Sequence, residues 1–286
     1  TNQYVKVLHD QFSFSLNLRP SVFLKDSAGK GMRFISRFST QTVYRIDKKT
    51  NEDQLFKFNP FELNDTTKLS ALNASLRQSL FFNQSAAVFG ADYTYQNNMS
   101  KQLLTNGYET RGNETHEFRW RWNLTRAWSI NSANTVGKKS NVSLYFSTRN
   151  YSIESYDLEQ KLSYQPNTAF RISAIYKYSK KQNIIEGGFQ KAELNDVGLE
   201  FKYNQVEKGS LTGKADFITI TYNDLENTSI AYEMLNALKV GYNYTWGLSY
   251  QRNLTNNIQI SINYDGRKSP NSKIINIGGA QIRAFF

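Results

Sequence analysis

The sequence predicts an all-β fold: an antiparallel transmembrane β-barrel of about fourteen strands, in a range of roughly twelve to sixteen because single-chain barrels take even numbers. Three observations predict it. Many segments alternate apolar and polar residues with period two, as strands with one wet face do. The connections between them alternate between tight turns and longer polar loops, the layout of a barrel with short turns on one side of a membrane and long loops on the other; a β-sandwich has no reason for that alternation. Aromatic residues make up 14% of a chain whose mean hydropathy is only −0.59 and whose net charge is +11. A disordered chain lacks the aromatics. A helical membrane protein is far more apolar, and no run here approaches the ~20 apolar residues a spanning helix needs.

The first clear strand sets Phe12, Phe14, Leu16 and Leu18 against Ser13, Ser15, Asn17 and Arg19. A shorter strand over residues 4–8 would bring the count to fourteen. Residues 26–31 read as a turn. Beyond it, Met32, Phe34, Phe38, Tyr44 and Ile46 fall on one parity, with Arg33, Arg37, Gln41 and Arg45 on the other. Residues 47–65 have no period and read as a long loop. Residues 68–82 fit both helical and strand spacing, and their neighbours favour a strand. After a turn at 83–86, Phe89, Ala91, Tyr93 and Tyr95 make the next strand, and 97–115 reads as a second long polar loop. The sharpest alternation follows: Phe118, Trp120, Trp122 and Leu124 against Glu117, Arg119, Arg121 and Asn123.

Beyond a tight turn at 125–127, a strand opens on Trp128 and Ile130 and fades near Gly137. Tyr156, Leu158, Leu162 and Tyr164 then oppose Asp157, Glu159 and Lys161. A turn at 165–168 leads to Phe170, Ile172, Ala174, Tyr176 and Tyr178, opposite Arg171, Ser173 and Lys177. A loop covers 179–193. Val197, Leu199, Phe201 and Tyr203 alternate with Gly198, Glu200 and Lys202. Residues 211–222 alternate but change face near Phe217 and Ile218, which predicts a β-bulge. Residues 223–239 read as a loop with helical potential at 230–235. Tyr242, Tyr244, Trp246, Leu248 and Tyr250 form a second full aromatic face, and Ile258, Ile260, Ile262 and Tyr264 follow the turn at 252–256. In this reading Phe118, Trp120, Trp122, Tyr242, Tyr244, Trp246 and Tyr250 face lipid, while Arg33, Arg37, Arg119, Arg121, Arg171 and Arg283 face the lumen.

The chain closes with Ala280, Ile282, Ala284 and Phe286 at alternate positions and Gln281 and Arg283 between them. Gly278 and Gly279 just before predict a bend or a close approach. This ending resembles the C-terminal assembly signature of bacterial outer-membrane β-barrels, a terminal aromatic preceded by alternating apolar residues. The Asn, Tyr and Lys richness and low hydropathy resemble Bacteroidota-type surface barrels that form the C-terminal part of larger proteins. The resemblance implies the outer membrane of a Gram-negative bacterium, short periplasmic turns and long extracellular loops. It also implies an assembly signal at Phe286, Ala284, Ile282 and Ala280. Implied partners are outer-membrane lipid and lipopolysaccharide, the barrel-assembly machinery during biogenesis, and surface lipoproteins or other outer-membrane proteins. One barrel domain over 1–286, preceded by an upstream region, is the expected organisation; the start at Thr1 without a signal peptide fits either a secretion signal removed by processing or the C-terminal part of something longer.

Catalytic chemistry finds little purchase. With no cysteine there is no thiol nucleophile or zinc-thiolate site. Of the two histidines, His116 adjoins Glu117, but neighbouring strand residues face opposite sides, and His116 reads as a solvated loop residue. Asp47, Asn51 and Asp53 lack the glycine and the distal bidentate glutamate of a calcium loop. The expectation is no enzyme, no cofactor, no metal and no nucleic-acid partner. Eleven Asn-x-Ser/Thr sequons occur, among them Asn73, Asn123, Asn141, Asn243 and Asn253; polar residues two apart are what a polar strand face produces anyway. Function is expected at class level: a channel or transport barrel, or a non-enzymatic scaffold or anchor for surface complexes. The inward arginines fit an anion-favouring channel or a salt-bridged plug equally. The rival from another class is a soluble, glycosylated β-sandwich adhesin.

Overall fold

The computed structural model describes residues 7–23, 29–50, 59, 69–105, 107–205, 208–255 and 257–284. Among them are thirteen strands: β1 (Leu8–Leu18), β2 (Phe38–Thr50), β3 (Leu69–Phe82), β4 (Phe89–Leu104), β5 (Gly107–Asn123), β6 (Trp128–Ser143), β7 (Tyr151–Tyr164), β8 (Phe170–Asn183), β9 (Lys191–Gln205), β10 (Gly209–Tyr222), β11 (Gly241–Thr255), β12 (Ile258–Lys268) and β13 (Ile275–Ala284). Two short helices join them, α1 (Lys30–Ile35) and α2 (Ser229–Met234). All thirteen strands lie in one sheet in chain order, every neighbour antiparallel. That is the up-and-down order of a barrel wall; a sandwich divides its strands between two sheets. The count sits inside the expected range. Of the strand expected at 4–8, Leu8 opens β1 and most of the rest lies outside the described residues.

The connections sort into two ends. At one end, residues 83–88, 124–127 and 165–169 make short turns, β9 gives way to β10 and β11 to β12 with no more than three residues between them, and α1 lies between β1 and β2. At the other end lie 144–150, 184–190, 223–240 and 269–274, and there β2 also gives way to β3 and β4 to β5. One connection there overturns an expectation. Residues 97–104 and 107–115 are no loop: they belong to β4 and β5, 16 and 17 residues long, which pair as far as Leu104 and Gly107. The alternation is lost because both faces of this hairpin are polar: one carries Asn98, Ser100, Glu109 and Arg111, the other Asn97, Lys101 and Glu114. His116 is accordingly a strand residue, with Nδ1 2.7 Å from the Tyr93 hydroxyl and Nε2 3.7 Å from Glu114.

Three further corrections have local causes. Met32 and Phe34 belong to α1 rather than to a strand, so Arg33 stands on that helix and Arg37 on the turn after it. Phe34 packs against Phe38 and Phe82 with ring centroids 5.4 and 6.0 Å apart, folding the helix back onto the strand ends. The expected bulge at Phe217 and Ile218 is absent: β10 pairs without a register shift with β9 and β11 through both residues. Shifts occur instead at Lys49/Thr50 and Asn253/Thr255. Gly278 and Gly279 make neither a bend nor a close approach; β13 pairs continuously with β12, and a Cβ at either glycine would meet nothing nearer than 3.9 Å.

Close approach occurs at Gly266, which lies opposite Trp246 in register, and a Cβ there would overlap the Trp246 indole. The bare backbone is the surface on which the indole rests. Gly266→Val is expected to destabilise the fold by about 1–3 kcal/mol through overpacking. Equilibrium unfolding in urea checks this, and Trp246 fluorescence reports the displaced ring.

Candidate functional site

The ladder gives the sheet two chemically distinct faces. One carries Phe14, Tyr44, Leu80, Tyr93, Phe118, Trp120 and Trp122. It continues with Trp128, Leu162, Tyr164, Ile172, Leu199, Tyr203, Tyr242, Tyr244, Trp246, Leu248, Tyr250 and Ile262. Many of these side chains are exposed; Phe118 and Trp122 are both 46% accessible and Tyr242 63%. All seven aromatics expected to share a face therefore share it. Ala280, Ile282 and Ala284 join them, opposite Ile262, Ile260 and Ile258. Phe286 lies outside the described residues. Ser132, Asn134 and Gln160 interrupt this face, and both amides donate to the Ser132 hydroxyl, at 3.2 and 2.6 Å.

The opposite face carries ion pairs. Arg119 Nε lies 2.8 Å from Asp92, and Arg111, Lys161 and Lys177 lie 2.6, 2.7 and 3.8 Å from Glu109, Glu200 and Asp196. Arg121 donates to the Ala86 carbonyl at 2.8 Å. Arg119, Arg121, Arg171 and Arg283 all occupy this face; Arg33 and Arg37, off the sheet, do not. His9 and Asp47, 2.8 Å apart, pair here too, while Asn51 and Asp53 lie outside the described residues. Asn243 is fully buried, its amide donating to the Lys239 and Gly241 carbonyls.

This face is concave, and α2 shows why. The helix leaves the end of β10, yet Lys139 of β6 reaches Glu233 at 2.5 Å, and Lys181 of β8 donates to the Asn236 side chain at 2.7 Å. A cavity of about 620 Å3 is bordered by Glu233 and also by Arg45 of β2 and Asn98 of β4. A loop from β10 shares a cavity with β2 only if the sheet curls with its polar face inward.

The wall beneath α2 is apolar where a polar face was expected. Tyr151, Ile153, Ala192, Leu194 and Ile220 are buried there against Ala231, Met234 and Leu235, with Ile218 packed alongside. Ile218 thus explains the apparent change of face in β10: apolar residues stand on both sides, outward at Phe217 and inward toward α2 at Ile218. Thr228 caps the helix by accepting the Ala231 amide at 3.0 Å. Sequence reasoning missed Lys139, Glu233 and this inner patch. The available signal was the clustering of alternation breaks at one end of β7, β9 and β10. No described helix is long and apolar enough to cross a membrane, which does not bear on crossing by strands.

The sequence matches no protein-family model and no curated protein. Among solved structures the chain is similar to the NanC porin, with 14% identity and a TM-score of 0.40, covering 76% of this chain and 94% of that one. It is also similar to CdiB from Acinetobacter baumannii (8%, 0.46, 98% of this chain and 54% of that one). A third likeness is to the outer membrane transporter YddB from Escherichia coli (10%, 0.49, 92% and 47%), so the chain spans about half the length of the latter two.

Proposed function

We propose that the chain forms the wall of an outer-membrane β-barrel that passes small hydrophilic solutes, with α2 narrowing its lumen. The observation that carries this reading is the pairing of an exposed aromatic and aliphatic outer face with an inner face of ion pairs around a cavity of about 620 Å3. In water so large an apolar surface is an aggregation liability. In a bilayer it is the lipid-facing band, and the inner face then lines an aqueous path. The role asks nothing of a catalytic group or cofactor. The chain purified in detergent is expected to insert into planar bilayers and give discrete, ohmic current steps. A folded, inserted protein that never conducts favours the anchoring role instead, with α2 as a plug.

The proposed orientation puts the end bearing residues 184–190 and 223–240 outside the cell. Protease added to intact cells is expected to cut near Gly187 or Asn227 and to spare 165–168. Cleavage confined to the short turns inverts the orientation. Lipopolysaccharide, the assembly machinery and surface lipoproteins remain the partners this placement suggests.

A further inference from the structure

We propose that the inner wall shared by β7, β8 and β9 holds a binding subsite for oxyanions, meaning solutes that carry carboxylate or phosphate; its place on a solute path rests on the channel reading, but its binding chemistry does not. Three cations gather on one carboxylate. Lys161 Nζ lies 2.7 Å from Glu200, and Arg171 lies 3.8 Å from its other oxygen. Lys202 follows two residues after Glu200 on the same face of β9. Three positive charges against one negative leave an excess of two. Lys214 stands directly opposite Glu200 and brings Asp265 with it, both side chains lying over Gly247, so those two opposite charges leave the excess unchanged.

Arg171 and Lys202 are also directly opposite each other in the ladder. Like charges in that relation destabilise a sheet. Lys202 forms no ion pair among the described residues. A small cavity of about 120 Å3 opens between the two, bordered by Asn204 and by the turn residues Gln165 and Thr168.

Elsewhere on the inner wall the paired cations are matched or outnumbered by carboxylates. Arg111 has Glu109, Lys139 has Glu233, Lys177 has Asp196, and Arg119 has both Asp92 and Glu117. A plug made rigid by salt bridges would balance its charge here too. An uncompensated excess beside this cavity is relieved by an anion. Arg171 supplies the planar fork that suits a carboxylate or phosphate edge, and Lys202 supplies a point charge on the opposite strand.

The test is calorimetric titration of the full refolded chain in detergent with pyrophosphate and, separately, with citrate. Saturable binding is expected for both oxyanions. Arg171→Gln and Lys202→Gln are each expected to weaken it roughly tenfold or more, the loss of one charge-assisted contact. Lys177→Gln, at a cation already matched by Asp196, is expected to leave it within about twofold. Heat-modifiable migration on gels confirms that each variant folds, and Arg171→Lys is expected to recover part of the affinity. No binding by the folded wild type, or equal binding by all variants, overturns the subsite. Bilayer conductance separates the two proposals: binding without conductance removes the channel and keeps the subsite, while conductance without binding does the reverse.

Discussion

Met234→Asp is expected to raise single-channel conductance severalfold while leaving the sheet intact. The helix that carries Met234 has six residues, well short of the roughly twelve that an isolated helix needs. Its position therefore depends on what it touches. Ala231 and Met234 are fully buried and Leu235 nearly so, all against the inner patch of β7, β9 and β10. A carboxylate at Met234 would replace a buried apolar side chain in the cluster with Tyr151, Ile153, Leu194 and Ile220, at a cost of several kcal/mol. The polar ties are weaker. The Lys139–Glu233 pair has half-exposed partners, and such a pair contributes about 1 kcal/mol or less. The wall hydrogen bonds do not involve α2, so the cheaper response is for the loop to leave the lumen.

Tyr232→Asp is the control, since Tyr232 on the same helix is 65% accessible; conductance there is expected to stay at the wild-type level. Lys139→Gln should produce a small, noisy increase as the loop loosens. Unchanged conductance in a folded Met234→Asp protein would mean that α2 does not narrow the path.

What the sequence disclosed and what it hid have a common cause. Alternation is legible wherever one face of a strand is apolar and the other polar, as in β5 from Phe118 to Trp122 and β11 from Tyr242 to Tyr250. It fails in two opposite circumstances. In the outer halves of β4 and β5 both faces are polar, so this hairpin reads as loop. In β10 both faces are apolar around Phe217 and Ile218, and that pattern reads as a bulge. Each failure marks a place where the environment changes: the hairpin beyond the apolar band, and the seat of α2.

The site was harder to read than the fold because its contacts are not local. Lys161 reaches Glu200 across the whole width of β8, and Lys139 reaches Glu233 over a separation of 94 residues. Face assignment alone found Arg119, Arg121 and Arg171, but only the register joins Arg171 to Lys202. It also misplaced Arg33, whose parity with Arg37 and Arg45 mimics a strand through a helical turn.

Trp120→Arg is expected to destabilise the folded protein by about 2–4 kcal/mol in lipid vesicles, the cost of a cation at mid-depth on a barrel's outer face. Trp120 points outward between Ala91 and Ser132, so an arginine there finds no carboxylate across the ladder. Its depth follows from its neighbours. Trp122 sits beside the turn at 124–127, and the band gives way to polar residues at His116 and Glu114, which leaves Trp120 nearer the middle. Trp122→Arg is therefore expected to cost only about 0–1 kcal/mol, because the side chain can reach the interface.

Arg121, the next residue along, tests the opposite face. Its Nη2 donates to the Ala86 carbonyl, while its Nε is buried with no partner among the described residues. Arg121→Gln removes one hydrogen bond and one unsatisfied donor together, so a net cost of about 1 kcal/mol or less is expected. The measurement is equilibrium urea unfolding from vesicles, with bilayers of two thicknesses to shift the mid-plane. A depth profile that falls from Trp120 to Trp122, with little effect at Arg121, is expected only if the aromatic face meets hydrocarbon. Equal costs at all three positions would mean that water wets both faces of β5.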